Sequence, residues 1–270
     1  MLKAEDWDTS DWDYRDEIPI GPLTMVDDIL SITNCGMESV MANAFINSQI
    51  EQNKLTLNTN KCHKLHLGNK KDLCPKLSAH QQEMKEKSQE KYLGDIVSSD
   101  GTNNNNIKNK VNIGIGKISS IMNILREVSL GRKFYFTIAT ILRESILLSS
   151  MLLNSEAWIG ITQANIDELE QVDEILLRRI LETPSTTPKP ALYLELGCLP
   201  IRFVIMKRRL LYLHYLLNLN NDEMLSKVFW KMTKNLLKNE WILKAKENLA
   251  ELNMDENNLD LIKHKKKTKF

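Results

Sequence analysis

The segment Leu23-Thr24-Met25-Val26-Asp27-Asp28-Ile29-Leu30-Ser31-Ile32 sets two short apolar, strand-forming runs on either side of adjacent aspartates. Two short apolar runs meeting at the aspartate pair predict a β-hairpin, with the carboxylates at its tip. Carboxylates displayed there form an oxygen-rich site suited to a hard divalent cation such as Mg²⁺. Upstream, Ile18-Pro19-Ile20-Gly21-Pro22 is a stiff, extended entry, because each proline biases the residue before it away from helix. Residues 1–17 hold seven acids against Lys3 and Arg15, and are expected to form a poorly ordered acidic leader despite Trp7, Trp12 and Tyr14.

Downstream of the hairpin, Asn34-Cys35-Gly36 reads as a turn that opens a helix from Met37 to Gln52, with Val40, Met41, Ala44, Phe45 and Ile50 on its apolar face. Leu55-Thr56-Leu57 and Lys64-Leu65-His66-Leu67 read as two strands joined through Asn58-Thr59-Asn60. Residues 69–90, rich in Lys, Gln, Glu and Ser, read as a surface loop or frayed helix. Tyr92 to Val97 reads as a strand interrupted by Gly94, with an Asp100-Gly101 turn after it.

Beyond Gly101 the β pattern gives way to long helical periodicity, so a domain boundary is expected at about 101–106. Ile107, Val111, Ile115, Ile118, Met122, Leu125 and Val128 form one stripe, and Phe134 to Leu153 a second, nearly apolar helix. Thr162 is the expected N-cap of a third helix, with Ile166, Leu169, Val172, Leu176 and Ile180 on one face and Pro184, Pro188 and Pro190 beyond its end. Gly197 and Pro200 punctuate a short helix and open a long one through Leu219. Two amphipathic stretches, Glu223 to Lys238 and Trp241 to Leu252, precede a lysine-rich tail from residue 253 to 270.

The totals narrow the classes. A chain of 270 residues with 42% hydrophobic residues can bury a core. Four cysteines, at 35, 62, 74 and 198, are too few and too irregular for a disulfide framework, and Met1 leads into acidic and aromatic residues rather than a secretory signal. An intracellular protein, nuclear or cytoplasmic, is expected. The most apolar window carries Arg143 and Glu144, which oppose a membrane span and favour a buried helix. Cys62, His66, Cys74 and His80 match no standard zinc spacing. The basic tail is either a nucleic-acid-binding or nuclear-localisation element or a solvating end.

Met25-Val26-Asp27-Asp28 resembles the Asp-Asp signature of reverse transcriptases, in particular those of non-LTR (LINE-like) retrotransposons, with methionine where an aromatic residue is usual. The following segments are similar in order. Leu57-Asn58-Thr59-Asn60-Lys61 through Gly68 is similar to the lysine-bearing end of the palm, and Lys91-Tyr92-Leu93-Gly94-Asp95 to the primer-grip hairpin. Asn154-Ser155-Glu156-Ala157-Trp158, Leu176-Leu177-Arg178-Arg179-Ile180-Leu181 and Leu192-Tyr193-Leu194-Glu195-Leu196-Gly197 resemble segments of the helical thumb and beyond.

The resemblance, covering about residues 18–250, implies an α+β chain: a partial polymerase palm at 18–101 and a thumb-like helical domain at 102–252. It implies Mg²⁺ held by Asp27 and Asp28, Lys61 near the phosphates of an incoming nucleotide, and Tyr92, Leu93 and Gly94 on the primer backbone. Arg178, Arg179, Lys207, Arg208 and Arg209 would contact an RNA template and DNA primer. The family's further catalytic aspartate, its fingers and most of its palm lie upstream of this hairpin. The leader has no room for them, so polymerisation by this chain alone is not expected, and a partner chain completing the palm is a candidate. The alternatives are a non-catalytic nucleic-acid-binding module and a helical scaffold.

Overall fold

The computed structural model describes residues 23–25, 28–33, 36–67, 75–79, 82–127, 131–220, 223–234 and 239–254. The acidic leader, the Ile18 to Pro22 entry and the basic tail past Met254 lie outside these residues. The chain mixes helices with short strands and divides into two compact units. One contains the described residues up to Glu90 together with Val97–Gly101; the other contains Lys91–Ile96 and the chain from Thr102 onward. Among the described residues no helix is long and apolar enough to cross a membrane.

In the first unit β1 (Leu23–Met25) pairs antiparallel with β2 (Asp28–Leu30), Leu23 opposite Leu30 and Met25 opposite Asp28. Two residues therefore join the strands, the connection length of the tightest hairpins. Helix α1 (Gly36–Gln52) follows, and its Asn43 and Asn47 amides donate to the Ser78 carbonyl, at 3.1 and 2.9 Å. The expected apolar face of α1 is not a buried face. Only Ile50 is buried, while Val40, Met41 and Phe45 are exposed and Met37 is 71% exposed. Periodicity marks a face that can be buried, and nothing among the described residues covers this one.

Two further strand readings are corrected. Residues 55–58 form no strand; Asn58 caps a short 3₁₀ turn, Thr59–Lys61, its side chain accepting from the Asn60 N–H. Side-chain capping by asparagine competes with strand pairing there. The polar stretch expected as loop or helix carries strands instead: β4 (Ser78–Ala79), β5 (Gln82–Glu83), β6 (Lys85–Lys87) and the start of β7 (Gln89–Tyr92). β3 (His63–Leu65) pairs in parallel with β6 and β4 antiparallel with β5. Long-range pairing supplies what local composition does not, since short polar strands on a sheet edge have no hydrophobic alternation to announce them.

β7 pairs with β8 (Asp95–Ser98). Gly94 does not interrupt a strand, as expected from sequence, but sits with Leu93 at the tip of this hairpin. Both have positive φ, 46° for Leu93 and 90° for Gly94, the requirement of a two-residue turn whose twist matches its strands.

The second unit is helical. α2 (Asn104–Arg126) packs against α5 (Gln163–Leu181), while α3 (Arg132–Leu142) runs through a π-helical segment, Arg143–Leu148, into α4 (Ser149–Met151). Ile107, Ile118, Ile121 and Leu125 meet Leu147, Met151, Leu169, Val172, Leu176 and Ile180 in one core. The buried stripe of α2 runs through Lys110 and Gly114, and Ile115, expected inside, is half exposed. Gly114 is the point of closest approach: a Cβ there would lie 2.8 Å from Met151 Sδ and 2.9 Å from Val172 Cγ1. Thr162 caps α5 through a reciprocal pair with Asn165. A second core joins α7 (Ile201–Leu217), α8 (Met224–Lys234) and α9 (Glu240–Glu251) through Leu210, Leu213, Phe229, Trp241 and Leu249.

The Phe134 to Leu153 helix is buried without being wholly apolar. Arg143, 2% exposed, donates from Nε to Asp173 Oδ1 at 2.7 Å and from Nη2 to Oδ2 at 2.6 Å, and Asp173 is fully buried. Nη2 also donates to the Leu199 carbonyl, and Tyr193, on α6 (Lys189–Leu196), donates its hydroxyl to Asp173 at 3.2 Å. Burial opposes the guanidinium charge, but the carboxylate against it holds the Arg143 pKa above its ordinary value. Burial, reinforced by Asp173, pushes the Tyr193 phenol upward.

Arg143→Met strands the Asp173 charge in the core and should cost about 3–5 kcal/mol in chemical denaturation, most of it recovered by adding Asp173→Leu. Gly114→Ala, although favoured by helix propensity, should destabilise by about 1–3 kcal/mol, because the branched Val172 cannot withdraw.

Candidate nucleic-acid interface

The hairpin carries Asp28 at the start of its second strand rather than at the tip expected from sequence. Asp28 opens β2 opposite Met25, while Asp27 and the side chain of Asp28 lie outside the described residues. No group of three or more Asp, Glu, His or Cys side chains able to hold a metal ion occurs among the described residues. Lys61 is exposed at the end of the 3₁₀ turn. Of the four residues weighed for zinc, Cys74 and His80 lie outside the described residues. The Cys62 thiol donates to the Asn58 carbonyl at 3.4 Å, and burial pushes its pKa up.

The hairpin tip is held firmly. Lys110, 1% exposed, places Nζ 3.0 Å from the Gly94 carbonyl and 2.8 Å from Asp95 Oδ1. Asn154, itself in the left-handed region, donates to Asp95 Oδ2 at 2.6 Å, and Asn106 accepts from the Ile96 N–H at 3.1 Å. A Cβ at Gly94 would lie 3.0 Å from Leu153 Cδ2, so this glycine is needed both for its φ and for the close approach. Leu93 is exposed and Tyr92 half-buried.

The basic residues singled out from sequence divide into two kinds. Arg178 closes the loop after α5: Nε and Nη2 donate to Glu174, Nη1 to the Pro184 carbonyl at 2.6 Å and Nη2 to the Thr187 carbonyl at 2.8 Å. Arg209 is 3% exposed inside the second core; its Nη1 donates to Asn248, its Nε has no hydrogen-bond partner among the described residues, and burial lowers its pKa. Arg208 donates to the Leu152 carbonyl and is also lowered by burial. Arg179 and Lys207 face solvent. The run Lys207-Arg208-Arg209 is thus not a basic patch, because consecutive helical residues point about 100° apart and only one is on the outside.

A different surface stands out. From Gly101 to Arg126 the sequence has no Asp or Glu, and it carries Lys108, Lys110, Lys117 and Arg126. On α2 the exposed residues Lys108, Asn112, Ile115, Ser119, Asn123 and Arg126 follow the three-to-four-residue spacing of one helical face, with exposed Gly116 beside them. The face presents positive charge at both ends and short hydrogen-bonding side chains between. That acid-free stretch was legible in the sequence as a charge gap, yet the short Asn and Ser residues do not announce themselves as a basic cluster does. Tyr212 and Tyr215 of α7 stack at 6.1 Å, with Tyr215 half exposed.

Comparison of the chain with protein-family models, with curated proteins and with solved structures gave no match.

Glu174 supplies a pH prediction. Burial opposes its charge, but Arg178 and Lys189 hold its pKa below the ordinary glutamate value. A depressed folded-state pKa gives stability that is complete above the unfolded-state pKa, about 4.3, and that drains away as pH falls through the folded value. Glu174→Gln should therefore flatten the stability profile below about pH 5, measured by thermal melts across pH. Arg178→Ala should cost about 1–2 kcal/mol through the two carbonyls it leaves without their donor.

Proposed function

We propose that this chain derives from the reverse transcriptase of a non-LTR retrotransposon. In this reading its helical unit binds a nucleic-acid duplex along the exposed face of α2. The observation that carries the binding half is the acid-free helix with its solvent stripe from Lys108 to Arg126. Phosphates bring a dense line of negative charge, and a face without carboxylates approaches them without like-charge repulsion. Lys108 and Arg126 pair with phosphates, Asn112, Ser119 and Asn123 offer donors and acceptors to sugar and base edges, and Gly116 lets the backbone come near. The ligand is the RNA template with its DNA primer.

The ordered resemblance of the Asp27-Asp28 hairpin, the Lys61 segment and the Tyr92-Leu93-Gly94 hairpin supports the retroelement origin. Asp27 and Asp28 would be the Mg²⁺ ligands, the ion serving in that chemistry to neutralise triphosphate charge and activate a primer hydroxyl. The uncovered Met37, Met41 and Phe45 of α1 are where a partner chain completing the palm would pack. Binding along α2 does not need the catalytic hairpin, so a non-catalytic binding module is the alternative within the same reading.

A short RNA–DNA hybrid, followed by fluorescence anisotropy, should bind with an affinity that falls steeply as salt rises. Lys108→Ala and Arg126→Ala should each lower the log–log salt slope by about one. Absence of binding at low salt leaves the helical-scaffold reading. Primer extension on RNA with Mg²⁺, abolished in Asp27→Asn, would restore full polymerase activity to the chain; binding without extension assigns the module.

A further inference from the structure

Arg143 and Arg209 are both enclosed in the helical unit, and their charges are met differently. Arg143 uses its Nε–Nη2 edge for Asp173, Nε donating to Oδ1 and Nη2 to Oδ2, so a carboxylate lies along that edge and matches the charge. Arg209 is 3% exposed, on the face of α7 that carries Met206, Leu210 and Leu213 into the second core. Its hydrogen bond runs from Nη1 to Asn248 Oδ1 of α9 at 3.0 Å, while Nε and Nη2 have no partner among the described residues. Burial pushes its pKa down, and no carboxylate among those residues opposes the shift. Asparagine at 248 has the shape of the aspartate that would close the pair, but its amide oxygen accepts one N–H and returns no charge. A guanidinium stripped of water and given one neutral acceptor is a costly state for a core. What it still offers is two parallel donors along Nε–Nη2, the geometry that a carboxylate meets with two bonds.

We infer that Arg209 and Asn248 form a binding site for a small carboxylate, seated on the Nε–Nη2 edge of Arg209 as Asp173 is seated on that of Arg143. Asn248 orients the site: its bond to Nη1 fixes the plane of the guanidinium and with it the direction of the other edge. Enclosure limits the ligand to a few heavy atoms, the size of formate or acetate, and excludes a phosphodiester chain. The site therefore stands apart from the duplex-binding reading of α2. The bound anion supplies the missing charge where α7 meets α9, so the stability of the second core rises with carboxylate concentration.

The test is thermal melting of the full chain, followed by circular dichroism at constant ionic strength, as formate replaces chloride stepwise. The unaltered chain should melt about 3–6 °C higher at the top of the series, rising with the logarithm of formate once the site is half filled. Arg209→Met should show no such rise. Asn248→Asp places a carboxylate of the chain's own against Arg209 with almost no change in volume, so it should melt above the unaltered chain in chloride and be indifferent to formate. If Arg209→Met lacks native helix content, Asn248→Asp carries the comparison alone. The ¹³C-formate resonance should broaden with the unaltered chain and stay sharp with Asn248→Asp. A melting temperature that does not change along the series overturns the inference, because the guanidinium is then met by water. An equal rise in the unaltered chain and the variants overturns it too, as a general effect of the salt on folding.

Discussion

Arg143 and Asp173 meet inside an apolar bundle, and the arrangement of the helical unit follows from the need to satisfy them. A guanidinium and a carboxylate stripped of water are tolerable only when geometry is close to ideal and the remaining donors are met. Here two parallel bonds link α3's π-helical continuation to α5, while the Leu199 carbonyl and the Tyr193 hydroxyl satisfy what is left. The pair therefore ties together α5, α6, the chain entering α7 and the π segment. An apolar substitute could fill the volume, but it would not specify which helix faces which. The π segment lies where this is imposed, with Ser145 and Ser150 bonding back to the carbonyls four residues earlier.

A second buried charge repeats the logic on a smaller scale. Lys110 sits on the inner face of α2, four residues before Gly114, and joins the hairpin tip to the helix. Gly114, one turn on, lets α2 come close to Met151 and to Val172 of α5. Around them, the segment Asn154 to Trp158 acts as a junction: Asn154 holds Asp95, the Glu156 carbonyl accepts from the Trp241 indole at 2.7 Å, and Trp158 is buried in the first core. Asn154, Glu156 and Trp158 of this segment thus engage the hairpin, α9 and the core in turn.

The two units differ in how completely they are closed. Among the described residues, Ile50 and Ala79 are the only buried apolar residues of the first, whereas the second has two well-populated cores. Burial of apolar surface is the main favourable term in folding, so the described part of the first unit rests on hydrogen bonds and short strand pairs, with the apolar face of α1 left exposed. The exposed stripe of α2, by contrast, stands on a helix whose inner face is buried from Asn106 to Leu125.

The sequence by itself determined the helices from Asn104 onward. Their apolar residues recur with helical period, Thr162 caps, and glycines and prolines punctuate, all signals that depend on neighbours within a turn or two. It also determined a tight hairpin at Leu23 to Leu30 and the absence of acids along α2. Tertiary structure decided the rest. Parallel pairing of His63–Leu65 with Lys85–Lys87 joins segments about twenty residues apart and leaves no local trace. Whether an arginine is a surface contact, as for Arg179, or a buried one, as for Arg209, depends on what other helices bring to that face. Arg143 is the clearest case: the sequence shows a charge in an apolar helix, and only the arrival of Asp173 from thirty residues away makes that charge a fastening rather than a fault.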